Sequence, residues 1–216
     1  MRFKDRADAG RQLARTLAAR YAGQGGVVYA LPRGGVTLGA EIARRLHMPL
    51  DLIIARKIGH PFNPEYAIGA VTESGELTSN PREVAHVDTE WFRRQIAVER
   101  EEARRRHQAY LGGRASPSAT GKLAILVDDG IATGLTMEVA IRELRRQKPA
   151  RLVVAVPVAP SDTAARFERE VDDLVALDIP EYYLGAVGAY YEDFRQVTDD
   201  EVIALLRAAH PVPQPN

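Results

Sequence analysis

Short apolar runs alternate with amphipathic stretches along most of the chain. The apolar runs lie at residues 27–31, 50–55, 123–127, 151–157 and 174–177. Apolar residues recur at helical spacing at residues 7–21, 36–46, 135–146, from 162 onward and at 199–209. A short uninterrupted apolar run is typical of a strand buried on both faces. The alternation therefore predicts an α/β fold with a parallel sheet and right-handed crossovers.

Residues 58–121 interrupt this alternation. Residues 58–80 contain glycines, prolines and the half-alternating stretch AIGAVTESGELT, which predicts a mobile loop with a small hairpin. A long charged helix is expected to be capped by Thr89 and to run to about Leu111. Its apolar side holds Trp91, Phe92 and Ile96. The glutamates among its arginines favour a solvated face over a nucleic-acid-binding helix.

The composition narrows the function classes. The 216 residues are 45% hydrophobic and 27% charged, as expected for one globular domain over residues 1–216. Lysine plus arginine and aspartate plus glutamate number 29 each, so no overall field attracts nucleic acid or an anionic membrane. Cysteine is absent, which excludes disulfides and thiolate catalysis. We expect a soluble, cytoplasmic protein without a targeting or membrane-spanning segment, ending in a frayed tail at residues 211–216.

The stretch LAILVDDGIATGLTM, residues 123–137, carries the strongest functional signal. Asp128 and Asp129 follow its apolar run, at the carboxyl end of the predicted strand, where open α/β sheets bind ligands. Ionised carboxylates accept hydrogen bonds and neighbouring sugar hydroxyls donate them. The acidic pair is therefore matched to the two hydroxyls of a ribose.

The loop after the acidic pair is suited to a phosphate group. Its residues are Gly130, Ile131, Ala132, Thr133, Gly134, Leu135 and Thr136. None of these residues is charged. The glycines let backbone N–H groups turn inward, and the threonines add hydroxyl donors. A helix is expected to begin near Leu135, and its positive end would favour an anion. The alternative is an ordinary turn in which the aspartates are solvated or cap the next helix.

Two other phosphate-binding motifs do not fit. A P-loop ending at Gly121 and Lys122 would need a glycine at position 116, which is Ser, and a Ser or Thr at position 123, which is Leu. A dinucleotide-binding motif would need a glycine at position 36, which is Val. Neither nucleotide-binding class is supported.

Residues 123–137 resemble the phosphoribosyl diphosphate fingerprint of the type I phosphoribosyltransferases, and most closely the version in adenine phosphoribosyltransferases. The segment RKIGHPFNPEYAIGAVTESG is similar to a predicted phosphoribosyltransferase family of unassigned substrate. The resemblance implies a Rossmann-like parallel-sheet core with a small hood, here residues 178–198, and a helical and hairpin insertion. It further implies Mg²⁺ carried by the substrate diphosphate without a dedicated metal site, and it leaves a homodimer open.

The resemblance places diphosphate-binding residues after the first two strands. Arg33, Gly34 and Gly35 lie where the family has its diphosphate loop, and Arg56 and Lys57 follow the next apolar run. An arginine would add a forked donor to the anion. The alternatives are a common turn for PRGG and a solvated strand end for the basic pair.

The expected hood contains candidate residues for binding a base. Its tyrosines Tyr182, Tyr183 and Tyr190 could stack on a heterocycle, or else make ordinary half-buried packing contacts. VGAYYEDFR is similar to the tail of the six-oxopurine transferases, which makes Arg195 a candidate for approaching diphosphate. His60 is a candidate acid or base in the closing loop.

The expected reaction is transfer of ribose 5-phosphate from phosphoribosyl diphosphate to a nitrogenous base, with a purine-like acceptor favoured. The expected catalytic residues are Asp128, Asp129 and Lys57. Six-oxopurine enzymes carry an aspartate where this chain has Ala132, and often a charged residue where it has Leu135, so the acceptor proton must go elsewhere. Two alternatives stay open, a non-catalytic sensor of phosphoribosyl diphosphate or a nucleotide, and a hydrolase of a phosphoribosyl compound.

Overall fold

A computed structural model describes residues 2–209 of the chain. Its strands are β1 (Gly26–Ala30), β2 (Leu50–Leu52), β3 (Ala55–His60), β4 (Asn63–Thr72), β5 (Leu77–Ser79), β6 (Leu123–Val127), β7 (Arg151–Val158) and β8 (Asp173–Asp178). Its α-helices are α1 (Arg6–Tyr21), α2 (Gly34–Leu46), α3 (Pro81–Val84), α4 (Thr89–Leu111), α5 (Leu135–Arg146), α6 (Ser161–Phe167) and α7 (Asp199–Ala209). A 3-10 turn covers Val187–Tyr190.

The central layer is a parallel sheet with the strand order β2-β1-β6-β7-β8. Strand β6 lies in its middle and is buried along its whole length. Ile125 and Val127 pack into a cluster with α1, α2 and α7, whereas Ala124 and Leu126 pack into a cluster with α5 and α6. Successive strand side chains point to opposite faces, so an apolar run without alternation is what a strand covered by helices on both faces requires. The predicted α/β fold is confirmed.

The predicted strand over residues 50–55 is wrong in its extent. The parallel strand β2 ends at Leu52, and Ala55 begins β3 in a separate antiparallel sheet with the order β3-β4-β5. Arg56 and Lys57 therefore lie inside β3 rather than at the carboxyl end of a parallel strand. Ile53 and Ile54 are buried at the junction between the two sheets, so the apolar run continues where the backbone leaves the first sheet.

The expected loop and small hairpin at residues 58–80 is instead a three-stranded sheet. Strand β4 is ten residues long and pairs with both β3 and β5. Its buried half packs Ile68 and Val71 against Phe92 of α4, with Trp91 and Ile96 at the edge of the same cluster. The predicted apolar side of the long helix is confirmed, although Asp88, not Thr89, caps it by accepting the N–H of Trp91.

The chain start is joined to the segment that precedes α7. Phe3 is fully buried and forms a parallel bridge with Tyr191. Across residues 2–209, no helix is both long enough and apolar enough to cross a membrane. The predicted frayed tail, residues 211–216, lies outside the described residues.

Candidate functional site

A cleft of about 740 Å³ opens at the carboxyl ends of β1 and β6. Its volume is in the usual range for small-molecule sites, which in open α/β sheets lie at this edge. One side is formed by the acidic pair and the loop after β6, and the opposite side by β3, the β3–β4 turn and α4. Predicted residues that line it are Arg56, Lys57, His60, Asp128, Asp129, Gly130, Ile131, Ala132, Thr133, Gly134 and Thr136.

The two aspartates share one end of the cleft but differ in their surroundings. Oδ1 of Asp128 accepts the N–H of Asp129 at 2.8 Å. Burial and then the charge of Asp129 raise the pKa of Asp128 well above its usual value, while Lys57 opposes the shift. Burial also raises the pKa of Asp129, against the lowering effect of Arg6, whose Nε lies 2.7 Å from Oδ2 of Asp129. Among residues 2–209, the directly bonded cation of the acidic pair is Arg6, on Asp129.

Sequence reasoning missed both side chains that fix Asp129 from other elements. Arg6 begins α1, 123 residues earlier, and the hydroxyl of Tyr191 donates to the main-chain oxygen of Asp129 at 2.6 Å. Neither residue belongs to a recognisable local motif, because each reaches Asp129 through tertiary packing. The one available signal was the general one that a buried carboxylate needs a cation.

The PRGG turn packs against the acidic pair. Helix α2 begins at Gly34, and the Pro32–Arg33 peptide bond is cis. A Cβ atom at Gly35 would lie 2.8 Å from the carbonyl oxygen of Val127, too close for any side chain. The Gly35 N–H donates to the carbonyl of Leu31 at 3.1 Å. The glycines therefore allow close contact between this turn and the end of β6.

The structure does not bring Arg33 into the cleft. Its guanidinium lies 3.6 Å from Oδ1 of Asp199 at the start of α7. Pro32 lines the cleft, but Arg33 does not. Its expected role as a forked donor to diphosphate would require a different rotamer.

The loop after Asp129 leads directly into the N-terminus of α5. Gly130 and Gly134 have φ values of 153° and 81°, which favour glycine. Helix α5 begins directly after Gly134, so its first-turn N–H groups have no partner within the helix. Thr133 is exposed, and Thr136 lies in the first turn of the helix. Leu135 is the one predicted loop residue that does not line the cleft.

Basic residues of β3 form the facing wall. Lys57 is exposed and influences Asp128 across the cleft. Arg56 is paired with Glu99 of α4, with Nε and Oε2 2.9 Å apart. His60 also lines the cleft, and its Nδ1 accepts the N–H of Phe62 at 3.3 Å. Lys57 is thus the cation on this wall with the most direct access to an anionic ligand.

The structure does not bring the hood tyrosines into the cleft. Tyr182 is 80% exposed, whereas Tyr190 is buried. The rings of Tyr183 and Tyr190 stack on each other at 5.5 Å. Arg195 does not line the cleft either, and its guanidinium pairs with Glu201 at 2.7 Å. The part of this segment that lines the cleft is Val187.

Helix α4 supplies an unexpected wall. Trp91, Gln95 and Glu99 all line the cleft, and their spacing of four residues places them on one helix face. Trp91 also packs against the apolar cluster around Phe92. Its indole therefore combines an apolar support with access to the cleft, which the amphipathic pattern alone did not distinguish from ordinary packing.

Among residues 2–209 there is no cluster of three or more histidine, cysteine or acidic side chains that could hold a metal ion. The carboxylates of Asp128 and Asp129 do border the cleft. One or two carboxylates together with phosphate oxygens and water are a usual ligand set for Mg²⁺. The residues present thus fit a magnesium ion that arrives with a phosphorylated ligand.

Comparisons with known proteins identify relatives over nearly the whole chain. The family model described as phosphoribosyl transferase domain matches residues 3–190. Two Mycobacterium tuberculosis proteins, from strains CDC 1551 and H37Rv and each named "Putative phosphoribosyl transferase", are 44% identical over 213 residues. These alignments cover 96% of this chain and 47% of the relatives, so the chain spans about half the length of the curated relatives it matches.

A solved structure is similar in both sequence and fold. The crystal structure of TT1426 from Thermus thermophilus has 44% sequence identity and a TM-score of 0.79. The alignment covers 95% of this chain and 98% of that one. The overall fold of this chain is therefore similar to an experimentally determined one.

Proposed function

This chain belongs to the phosphoribosyl transferase family, and we propose that it transfers ribose 5-phosphate from phosphoribosyl diphosphate to a nitrogenous base and releases diphosphate. The observation that carries this proposal is the placement of two carboxylates directly before an uncharged loop that opens α5, all on one side of one cleft. This arrangement supports a sugar with its hydroxyls on the carboxylates and its 5-phosphate in the loop.

The loop would bind the 5-phosphate without using a positively charged side chain. The N–H groups at the start of α5 and the hydroxyls of Thr133 and Thr136 are the available donors. Charge-assisted hydrogen bonds contribute about 1.5 to 3 kcal/mol each, so a few of them anchor a phosphate. The absence of acidic residues at positions 130–136 avoids repulsion of the anion.

The reaction would be a displacement at the anomeric carbon. As the bond to diphosphate lengthens, positive charge develops on the ribose, and by analogy with glycoside hydrolysis the transition state resembles an oxocarbenium ion. The carboxylate of Asp129, with Asp128 beside it, would orient the ring and favour that positive charge. Lys57 would stabilise the departing diphosphate. Mg²⁺, when bound with the substrate, would neutralise part of the diphosphate charge.

The acceptor would lie between the acidic pair and α4. Trp91 provides an aromatic face at this wall, and stacking on an aromatic ring is the general way in which proteins hold a flat heterocycle. We favour a purine-like base because its larger ring system covers an indole more completely. Tyr183 and Tyr190, whose rings stack on each other, would then serve packing rather than base recognition.

Measurement of diphosphate release tests this function. The chain is incubated with phosphoribosyl diphosphate and Mg²⁺, with and without purines, pyrimidines and nicotinate. Release that depends on one base supports the transferase. Release without any base indicates a hydrolase, and tight binding without release indicates a sensor.

A residue-level control uses Asp129→Asn and Glu101→Gln. Glu101 lies on α4 with its side chain 74% exposed, so its loss should leave binding and turnover unchanged. Asp129→Asn should reduce both strongly. Equal effects of the two substitutions would contradict the assignment of Asp129.

A further inference from the structure

Arg166 of α6 contacts the loop after Asp129 from outside the cleft. Its Nη2 donates to the main-chain oxygen of Thr133 at 3.4 Å. Thr133 and Gly134 line the cleft, whereas Arg166 does not. A Cβ atom at Gly134 would lie 2.6 Å from the same Nη2. Arg166 therefore packs directly against the loop, and this close fit depends on the glycine.

The contact fixes the direction of the peptide between Thr133 and Gly134. This peptide bond is trans. In a planar trans peptide the C=O and the N–H point in opposite directions. Because Arg166 binds the carbonyl oxygen from outside, the N–H of Gly134 points toward the cleft. Among residues 2–209 this N–H has no hydrogen-bond partner, so it is available to a ligand.

Two further contacts hold Arg166 in place. Its guanidinium carbon lies 4.7 Å from the ring centre of Phe167, which is fully buried. Its Nη1 lies 3.8 Å from Oε2 of Glu138 in the first turn of α5. Oε1 of Glu138 accepts hydrogen bonds from Thr78 and Arg142 at 2.5 and 2.7 Å. The ring contact and the ion pair therefore restrict Arg166 to the position from which it reaches the loop.

The ion pair also changes the charge near the loop. Residues 130–136 carry no charge, and Glu138 is the acidic residue that follows them in α5. A carboxylate close to the start of the helix would repel a bound phosphate. Arg142 and Arg166 both face Glu138, with N–O distances of 2.7 and 3.8 Å. Their positive charges therefore offset that of Glu138.

We propose that Arg166 is a positioning residue that holds the N–H of Gly134 toward the 5-phosphate of the ligand. It acts through the loop, because its side chain does not line the cleft. The inference rests on the proposed function, since it assigns the 5-phosphate to residues 130–136. Arg166 thereby places a positive charge behind a loop whose own side chains are uncharged.

The test compares Arg166→Met with Arg169→Met. Methionine keeps an unbranched side chain over Phe167 but has no donor for the oxygen of Thr133. Arg169 is exposed and is the matched control, because its replacement removes the same charge three residues later. Calorimetry with ribose 5-phosphate should show about tenfold weaker binding for Arg166→Met, since the N–H of Gly134 is no longer held toward the phosphate. Arg169→Met should bind like wild type, and wild-type affinity of Arg166→Met overturns the inference.

A ligand-free measurement separates positioning from general stability. NMR relaxation gives the order parameter of the Gly134 N–H, which should be about 0.85 in wild type, as in rigid backbone, and fall toward about 0.6 in Arg166→Met. The order parameters of strand β6 should keep their wild-type values in the variant, which a general loss of structure would not allow. An unchanged order parameter at Gly134 overturns the role of Arg166.

Arg166→Lys keeps the charge but loses the flat, forked group. A lysine has no planar group to lie on Phe167 while it donates to Thr133, so Gly134 should be less ordered than in wild type. If Arg166→Met does not fold, this variant carries the test, and wild-type order at Gly134 in it overturns the inference. Absence of any wild-type binding of ribose 5-phosphate contradicts the proposed function instead, and the order parameter then still decides whether Arg166 fixes the loop.

Discussion

A Cβ atom at Gly34 would lie 1.9 Å from Oδ2 of Asp129. The same atom would lie 2.9 Å from Nε of Arg6. Any side chain at position 34 must therefore displace the carboxylate, its ion pair or the start of α2. The first glycine of the PRGG turn is required by the acidic pair, 95 positions later in the chain.

Gly34→Ala should accordingly weaken both the fold and the binding of phosphoribosyl diphosphate. Overpacking of this kind costs about 1 to 3 kcal/mol of stability. Binding should fall by a further factor of about ten or more, since the displaced group is the proposed ribose ligand. Calorimetry and denaturant unfolding measure the two effects. Gly25→Ala is the matched control, because a Cβ there would meet nothing within 4 Å.

Lys57→Met should weaken binding of inorganic diphosphate by about tenfold, the effect of losing one charge-assisted hydrogen bond at an exposed site. Competition of diphosphate against phosphoribosyl diphosphate measures the change. Lys122→Met, which removes an exposed lysine just before β6, should leave the inhibition constant at its wild-type value. If diphosphate inhibits the wild-type and Lys57→Met proteins equally, Lys57 does not bind diphosphate.

Asp128→Asn should make the protein more stable at neutral pH while it impairs ligand binding. Burial and the neighbouring Asp129 raise the pKa of Asp128 in the folded state above its unfolded value. The stabilising effect of its proton is therefore complete below the unfolded pKa, near 4, and is lost as the pH rises through the folded pKa. Asparagine is neutral at every pH and avoids this loss.

Denaturant unfolding at pH 5 and pH 8 checks this effect. The free energy of unfolding of Asp128→Asn should exceed that of wild type by about 1 kcal/mol at pH 8. A gain of this size is typical when a substitution in a functional site favours stability over function. The difference should shrink at pH 5. Glu101→Gln should show no such dependence, and an Asp128→Asn protein less stable than wild type at pH 8 would contradict the raised pKa of Asp128.

Trp91→Ala should raise the acceptor KM by about tenfold, the loss expected when a base no longer stacks on an aromatic ring. Tyr182→Ala, which removes an exposed hood tyrosine, should leave that KM unchanged. Because Trp91 is the single tryptophan of the chain, its fluorescence also reports directly on the cleft. A purine that is a substrate but leaves the emission unchanged would rule out stacking on Trp91.

Local pattern was sufficient to predict the parts of the fold that depend on neighbours in sequence. The run 123–127 is β6, and the helix expected near Leu135 begins there. A strand buried on both faces needs a continuous apolar run, and apolar residues at helical spacing predict the helix that follows. The fold class and the position of the acidic pair follow from these two signals.

The contacts that depend on packing were beyond the sequence pattern. The break after Leu52 is invisible in a run whose residues stay apolar, because Ile53 and Ile54 are buried between two sheets. The partners Arg6 and Tyr191 reach Asp129 from 123 and 62 positions away. The sequence also favoured the hood tyrosines over Trp91 as base-binding residues. An aromatic side chain that stacks on a ligand looks the same in sequence as one that packs in the core, because the sequence does not show which side chain borders the cleft.

A crystal structure of the chain with phosphoribosyl diphosphate and Mg²⁺ would show where the sugar and its phosphate bind. We expect the ribose hydroxyls within hydrogen-bonding distance of Asp128 and Asp129, and the 5-phosphate against residues 130–136 at the start of α5. A sugar phosphate bound elsewhere, or a cleft that stays empty at saturating ligand, would contradict it.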